Sequence, residues 1–180
     1  MKYYSIKIGN IKRELPIVAL SPKMKVASFN LLGDLELVNV SARRLCNKIK
    51  NLDFDLLVGP EVKVVPLIHE MSNILKLKRY VVCRKNIMGY MVNPIKSDSE
   101  PSLVLDGRDA KHLKNKKVII VDDVISTGKT LKVVENLMNK VGAKVVCICS
   151  IFKQGNKETE DLKSLIFLQN LPVFKTEICY

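Results

Sequence analysis

The sequence predicts a single α/β domain with a mainly parallel, twisted sheet that carries helices on both faces. Short apolar runs alternate with amphipathic stretches along most of the chain. Strands that alternate with helices favour a parallel sheet covered on both sides. A length of 180 residues suffices for one domain with a full core and is short for two. No repeat or Pro/Gly-rich linker divides the chain, so the predicted domain spans residues 1–180.

The first half of the chain alternates predicted strands and helices. The strands are YYSIKI, LPIVAL and KVASF within residues 2–30, DLLVG at 55–59 and YVVCR at 80–84. Residues 33–52 place apolar side chains at helical spacing behind Asp34, a suitable cap, and residues 64–77 form a second predicted helix. Each helix thus separates two strands, as a parallel sheet requires.

The second half continues this alternation after an irregular stretch. Residues 85–101 hold a glycine, two prolines and polar residues without periodicity, which is typical of a lid loop. The run VIIVDDVI then predicts a buried strand, and a helix over 128–142 and the strand AKVVCICSIF follow it. The tail from about Lys153 is predicted as a short helix and short edge strands.

Composition places the chain among soluble globular proteins, with 47% hydrophobic and 27% charged residues. No apolar run reaches membrane-spanning length, and the first residues lack the apolar stretch of a secretory signal. We therefore expect a cytoplasmic protein without a membrane partner. The five cysteines form no CxxC pair. They are predicted to be small buried hydrophobic residues, with Cys147 and Cys149 on one face of a strand.

The net charge of +12 fits a nucleic acid, an anionic small substrate or simply a lysine-rich surface. The lysines are scattered along the chain, and the few aromatic residues do not interleave with a basic run. No nucleic-acid partner is expected on this pattern.

The aspartate pair Asp122–Asp123 stands at the end of the predicted buried strand. Two adjacent like charges cost free energy unless a cation or a polyol offsets them. The loops Gly59–Lys63 and Arg84–Lys85 follow two other predicted strands, and ligands bind beyond the carboxyl ends of such strands. The sequence therefore predicts a ligand site at this edge of the sheet.

The loop after the aspartates is suited to a phosphate. It consists of Ser126, Thr127, Gly128, Lys129 and Thr130 and leads into a helix N-terminus, where backbone N–H groups and the helix dipole favour an anion. A Walker A loop is excluded because Asp123 stands where that motif requires glycine. A ribose phosphate would place its 5′-phosphate in the loop and its 2′- and 3′-hydroxyls on the aspartates, directly or through Mg²⁺.

These segments resemble type I phosphoribosyltransferases. VIIVDDVISTGKT is similar to their phosphoribosyl pyrophosphate (PRPP) signature of four hydrophobic residues, two acids and a T-G-x-T loop. DLLVGPEVKVVPL is similar to the G-x-E-A-R-G loop of the purine branch, particularly the adenine phosphoribosyltransferases, and VVCRK resembles the V-x-R-K strand end of that branch. The similarity runs from about residue 55 to 152.

The resemblance implies an enzyme that transfers ribose 5-phosphate from PRPP to a purine base with Mg²⁺ as cofactor. The metal would bind through PRPP and reach Asp122 or Asp123 through water. The implied catalytic residues are Asp122, Asp123 and Lys85. The 5′-phosphate would bind to Ser126, Thr127, Gly128, Lys129 and Thr130. The pyrophosphate would bind to Glu61, Val62, Lys63, Arg84 and Lys85. Ile125 and Phe29 are candidates for the base pocket, although both also suit the core.

The resemblance also implies the arrangement of the domain. A core at about 34–152 would carry a mobile flap at about 86–101 and a hood from the N-terminal segment, the C-terminal segment or both. Family loops around Glu61-Val62-Lys63 often contain a non-proline cis peptide. A homodimer is implied as well.

The chain departs from the adenine enzymes at several positions. Their flap carries a serine, an acid and a tyrosine close together, whereas Tyr90 lies early in this flap; Lys63 replaces an arginine, and Lys129 replaces a glycine. These departures leave two alternatives open: transfer to xanthine, hypoxanthine, guanine or orotate, and a ligand-sensing regulatory module of the same fold. A nucleic-acid binder that uses the net charge of +12 is the third-ranked alternative.

Overall fold

A computed structural model describes residues 1–155 and 164–175, which form the following elements. The strands are β1 Tyr3–Ile8, β2 Ile11–Ser21, β3 Met24–Ala27, β4 Leu56–Pro60, β5 Tyr80–Cys83, β6 Ile95–Lys96, β7 Val104–Leu105, β8 Lys117–Ile125, β9 Lys144–Gln154, β10 Leu165–Leu171 and β11 Val173–Lys175. The helices are α1 Leu35–Ile49, α2 Val65–Ile74, α3 Gly107–Leu113 and α4 Lys129–Lys140.

The main sheet has five strands in the order β10-β9-β8-β4-β5, and its neighbouring strands pair in parallel. The central strand β8 is apolar on both faces. Ile119 and Val121 pack towards α1 and α2, whereas Val118 and Ile120 pack towards α3 and α4. This two-sided burial explains the continuous apolar run in the sequence. The predicted α/β fold is confirmed.

A second, antiparallel sheet in the order β1-β2-β3-β11 lies over α1 and is called the hood here. It combines both ends of the chain. Arg13 of β2 anchors the hood to α1, because its guanidinium donates to both carboxylate oxygens of Asp34 at 2.7 and 3.0 Å and to Glu36 at 2.8 Å. Arg13 also lowers the pKa of Asp34. The Asp34 carboxylate caps α1 by accepting from the N–H of Leu37, as the sequence predicts.

The lid region is more regular than the sequence indicates. Strand β6 pairs antiparallel with β7, and Arg84 at the end of β5 forms a bridge to Val104. Helix α3, which sequence analysis did not predict, follows β7. It is only seven residues long and buries only Ala110 and Leu113, so its apolar periodicity is too brief to read from the sequence.

The tail and the cysteines follow the predictions where the structure describes them. Strands β10 and β11 are edge strands, whereas a tail helix would fall on residues 156–163, outside the described ranges. Four cysteines are free and buried, and Cys147 and Cys149 share the face towards α1 and α2; Cys179 lies outside the described residues. Within the described ranges, no helix has the length and apolar character needed to cross a membrane.

Gly59 permits β4 to approach the neighbouring strand and helix. A Cβ at this position would lie 2.7 Å from the carbonyl oxygen of Val121 and 2.8 Å from Cγ1 of Val64. Overpacking of a well-packed core costs about 1–3 kcal/mol. We expect Gly59→Ala to lower the free energy of unfolding by this amount in urea titrations.

Gly89→Ala is the matched control, because no atom lies within 4 Å of an added Cβ at that exposed position. An equal loss of stability in the two variants would contradict the packing role of Gly59.

Candidate active site

The acidic pair lies within the last residues of β8, where the central strand reaches the edge of the sheet. Asp123 is 6% exposed, and Asp122 is half-buried. Each carboxylate accepts a hydrogen bond from the following backbone: Asp122 Oδ1 from the N–H of Asp123 at 2.8 Å, and Asp123 Oδ1 from the N–H of Val124 at 3.0 Å. The backbone thereby holds both carboxylates in place.

The second oxygen of Asp123 is available to a ligand. Asp123 Oδ2 is buried and has no hydrogen-bond partner among the described residues, and the ammonium of Lys63 lies 4.0 Å from it. Burial and the neighbouring Asp123 raise the pKa of Asp122 well above its usual range. A buried acidic pair with an unpartnered oxygen suits a cation, a metal-bound water or a sugar hydroxyl.

The donor set fits Mg²⁺ that arrives with a phosphate ligand. The described residues contain no group of three or more His, Cys, Asp or Glu side chains that could hold a metal by themselves. Mg²⁺ commonly binds through one or two carboxylates together with water and substrate phosphates. Asp122 and Asp123 can supply that part of the coordination, directly or through water.

The loop after β8 leads directly into the N-terminus of α4. Gly128 adopts a left-handed φ of 77° as the N-cap residue and offers no side-chain cap, and the N–H of Lys129 makes only a long hydrogen bond of 3.5 Å to Thr127 Oγ1. The first turn carries no acidic residue, and Ser126, Thr127 and Lys129 are exposed. Unpaired N–H groups at a twelve-residue helix, together with exposed hydroxyls, make this loop suitable for a phosphate.

The loop after β4 contacts the end of β5 through Glu61. Glu61 Oε1 accepts from the N–H of Lys85 at 2.7 Å, and Oε2 forms an ion pair with Arg84 Nε. The peptide between Glu61 and Val62 is cis, in agreement with the expectation for this loop. The carboxylate of Glu61 is thus already engaged by Arg84 and Lys85, two of the other residues that the resemblance assigns to pyrophosphate.

The structure brings together several of the residues that the sequence selects. Lys63 lies beside Asp123, and Glu61 joins the loop after β4 to Arg84 and Lys85. Sequence reasoning missed Arg108, which donates to the carbonyl of Tyr90 in the predicted flap, and Asp106, which accepts from Arg108. Their signal in the sequence is slight: an aspartate before glycine, at the cap of a helix that was not predicted.

The two base-pocket candidates are largely used by the core. Phe29 is 6% exposed and packs edge-to-face against Phe152 at a centroid distance of 4.8 Å. Ile125 is 2% exposed and packs on the α3 and α4 side, whereas Val124 packs on the hood side with Val121. Val121 and Val124 are three positions apart and yet face the same side of the sheet. The regular alternation of side chains between the two faces of β8 is therefore interrupted at Asp122 and Asp123.

Comparison with known proteins agrees with this geometry. The phosphoribosyl transferase domain family matches residues 35–178. An adenine phosphoribosyltransferase of Petrotoga mobilis is 31% identical over 75% of this chain and 79% of its own length. An orotate phosphoribosyltransferase of Thermotoga maritima is 28% identical over 78% and 68%.

Solved structures show the same fold. An adenine phosphoribosyltransferase from Thermoanaerobacter pseudethanolicus superposes with a TM-score of 0.65 at 22% identity, over 78% of this chain and 84% of that chain. The family match covers most of the chain, including the aspartate pair and the phosphate loop. The chain therefore belongs to the type I phosphoribosyltransferase family.

Proposed function

We propose that this protein is a purine phosphoribosyltransferase of the adenine type, which transfers ribose 5-phosphate from PRPP to a purine base and releases pyrophosphate. The observation that carries this proposal is the acidic pair, whose Asp123 Oδ2 has no partner among the described residues. It lies directly before a helix N-terminus whose N-cap residue, Gly128, has no side chain to cap it. Carboxylates beside a phosphate loop suit a ribose phosphate. The adenine-specific name of the Petrotoga mobilis relative supports the choice of base.

In this proposal, the residues of β8 and its loop hold the sugar phosphate. Asp122 and Asp123 accept hydrogen bonds from the ribose hydroxyls. Backbone N–H groups and hydroxyls of Ser126, Thr127, Gly128, Lys129 and Thr130 donate to the 5′-phosphate. Mg²⁺ supplies positive charge to the pyrophosphate when it is bound. The loop and the aspartates thereby position C1 of the ribose towards the hood.

The cations at the other two strand ends act on the leaving group. Cleavage of the C1–O bond develops positive charge on the ribose and negative charge on pyrophosphate, so catalysis depends on positioning and electrostatics. Lys63, Lys85 and Arg84 neutralise that negative charge, and the backbone at Val62 lines the same loop. Glu61 supports these groups, because it binds the N–H of Lys85 and pairs with Arg84.

The base would bind between the hood and the end of β8. Val124 and Phe29 belong to the core cluster on this side of the sheet, whereas Ile125 packs on the opposite side. We therefore place Val124, with Phe29, beside the base and assign Ile125 to the support of the loop. The orotate relative makes the identity of the base a question for direct assay.

The flap at about 86–101 would close over the bound substrate and exclude water. In this structure its tip rests on α4, where Lys140 donates to Asp98 at 2.7 Å and to the carbonyl of Lys96 at 3.1 Å. Lys140 lies at the end of α4 opposite the phosphate loop, roughly 16 Å along the helix axis. Closure would release these exposed contacts.

The homodimer, the cytoplasmic location and the single domain over 1–180 remain predictions.

A turnover assay tests the function. The protein is incubated with PRPP, Mg²⁺ and adenine, hypoxanthine, guanine, xanthine or orotate in separate reactions, and nucleotide and pyrophosphate are quantified. We expect AMP and pyrophosphate in equal amounts with adenine and little product with the other bases. Tight PRPP binding without any product would instead indicate a regulatory module. No calorimetric PRPP binding in the presence of Mg²⁺ would refute the assignment.

Asp122→Asn should stabilise the unliganded protein and weaken PRPP binding. The raised pKa of Asp122 means that the folded state binds its proton more tightly than the unfolded chain does. Stability therefore falls as pH rises from the unfolded value of about 3.9 through the folded pKa. Asparagine does not titrate, so the variant does not lose stability in this way as pH rises. We therefore expect a higher Tm than wild type at pH 7 and no gain near pH 3.

Asp53→Asn serves as the control for this variant, because Asp53 is 85% exposed and pairs with Lys117 at the other end of the sheet. It should give no gain in Tm and normal PRPP binding. A lower Tm for Asp122→Asn than for wild type at pH 7 would contradict the electrostatic cost assigned to Asp122.

Lys85→Ala should weaken PRPP recognition by about 2 kcal/mol, as the loss of a charge-assisted contact does. The backbone bond from Lys85 to Glu61 does not involve the side chain. Calorimetry with PRPP and the ratio kcat/KM measure the loss. Lys132→Ala is the matched control, because Lys132 contacts only Glu135 on the exposed face of α4 in the described structure. Similar effects of both substitutions would mean that the basic charge acts as a diffuse field.

A further inference from the structure

A chain of polar contacts joins the start of α3 to the proposed pyrophosphate site. It begins at Asp106, which is 6% exposed and caps α3 by accepting from the N–H of Arg108 at 2.9 Å. The guanidinium of Arg108 also donates to both carboxylate oxygens of Asp106, at 2.6 to 3.2 Å. Hydrogen bonds from the Arg108 side chain are the main cause that lowers the pKa of Asp106 to about 2. The pair is therefore charged at every physiological pH.

This pair holds the beginning of the flap against α3. Arg108 donates to the carbonyl of Tyr90 at 2.9 Å, and the N–H of Gly107 donates to the carbonyl of Val92 at 2.9 Å. A Cβ at Gly107 would lie 2.5 Å from the carbonyl oxygens of Val92 and Asn93, so the two segments are in close contact. Residues 90–93 are thus attached to α3, and β6 beyond them pairs with the buried strand β7, so residues 97–101 form the tip of the predicted flap.

Tyr90 also contacts Arg84 through its hydroxyl group. Its hydroxyl accepts a hydrogen bond from Arg84 Nη1 at 3.0 Å, while Arg84 Nε pairs with Glu61. A guanidinium has five N–H donors, so the remaining donors of Arg84 stay available to a phosphate. The two contacts engage separate nitrogens, Nη1 by a hydrogen bond and Nε by an ion pair, and the bond to Tyr90 is the side-chain hydrogen bond of Arg84 among the described residues.

The cleft beside these residues does not offer a separate anion site. It has a volume of about 410 Å³ and is lined in part by Arg79, Arg84 and Arg108. Within the described residues, each of these arginines is already paired with a carboxylate, of Asp109, Glu61 and Asp106 respectively. The arginines are therefore engaged in holding neighbouring elements together.

We propose that Tyr90 is a positioning residue for Arg84: it holds the guanidinium in the orientation that binds pyrophosphate, and Asp106 and Arg108 hold Tyr90. This inference rests on the proposed function. A free arginine side chain loses considerable rotamer entropy when it is immobilised by a ligand. Ordering Arg84 in advance removes part of that cost from substrate binding. Tyr90 thus serves the reaction without contact with the reacting atoms.

Tyr90→Phe tests the proposal, because it removes the hydroxyl and retains the ring. In the unliganded protein, NMR relaxation of the Arg84 Nε–H group should show a more mobile side chain. The Kd for inorganic pyrophosphate and the KM for PRPP should each rise about 3- to 10-fold, the effect of one lost hydrogen bond. Tm should stay close to wild type. Arg108→Ala should loosen Tyr90 and give a similar rise.

Two controls show whether the effect passes through Arg84. Tyr3→Phe removes the hydroxyl of a tyrosine in the hood that has nearly the same exposure, 57% against 56% for Tyr90. This variant should leave the Kd for pyrophosphate, the KM for PRPP and the mobility of Arg84 unchanged. In an Arg84→Ala background, Tyr90→Phe should cause no further loss of pyrophosphate affinity. Additive losses in the double variant would overturn the proposal.

The outcomes separate this inference from the proposed function. Wild-type protein that binds pyrophosphate, together with a Tyr90→Phe variant of equal affinity or unchanged Arg84 mobility, overturns the positioning role alone. Wild-type protein that binds neither pyrophosphate nor PRPP overturns the proposed function and the positioning role with it.

Discussion

The burial of two adjacent carboxylates at the end of the central strand is the constraint on which the rest of the site depends. Asp122 and Asp123 sit where β8 leaves the core, and one oxygen of Asp123 has no hydrogen-bond partner within the described residues. The cost of this arrangement shows in the raised pKa of Asp122. A ligand that brings hydroxyls or a cation relieves that cost, so binding and the electrostatics of the free protein are directly linked.

The neighbouring strand ends supply the opposite charge without neutralising the aspartates completely. Lys63 is 4.0 Å from Asp123, which is too far for a strong hydrogen bond. Arg84 is instead paired with Glu61, and Glu61 also binds the backbone of Lys85. One carboxylate therefore joins the side chain of Arg84 to the backbone at Lys85, two residues that the family resemblance assigns to pyrophosphate. Such preorganisation is the means by which a site lowers the free energy of charge that develops during reaction.

Polar contacts outside the site link the hood and the predicted flap to the helices. Arg13 ties the hood to the first turn of α1 through Asp34 and Glu36. Asp106 and Arg108 tie the start of the flap to α3, whereas the tip of the flap rests on α4 through exposed contacts of Lys140. Exposed ion pairs contribute little to stability. The part-buried Arg13–Asp34 pair is therefore the stronger link between the hood and α1, whereas Lys140 contacts residues 96–98 through exposed groups.

The sequence by itself was sufficient for the fold class, most of the elements and the class of chemistry. The apolar run of β8, the two aspartates, the hydroxyl-rich loop and the start of α4 are contiguous, so local periodicity and the capping pattern place them at one edge of a parallel sheet. The same contiguity explains the family resemblance. Helix α3 escaped prediction because seven residues with two buried side chains give too brief a pattern.

Only the tertiary structure decided which side chains contact one another within the site. Glu61 meets the N–H of Lys85 across 24 positions, and Arg108 meets Tyr90 across 18, so neither contact has a local signal in the sequence. The hood joins strands from both ends of the chain, a choice that the sequence left open. Val124, and not Ile125, lies on the hood side because alternation is lost at the end of β8. Periodicity describes regular strands, whereas the packing of the whole domain determines where a strand departs from it.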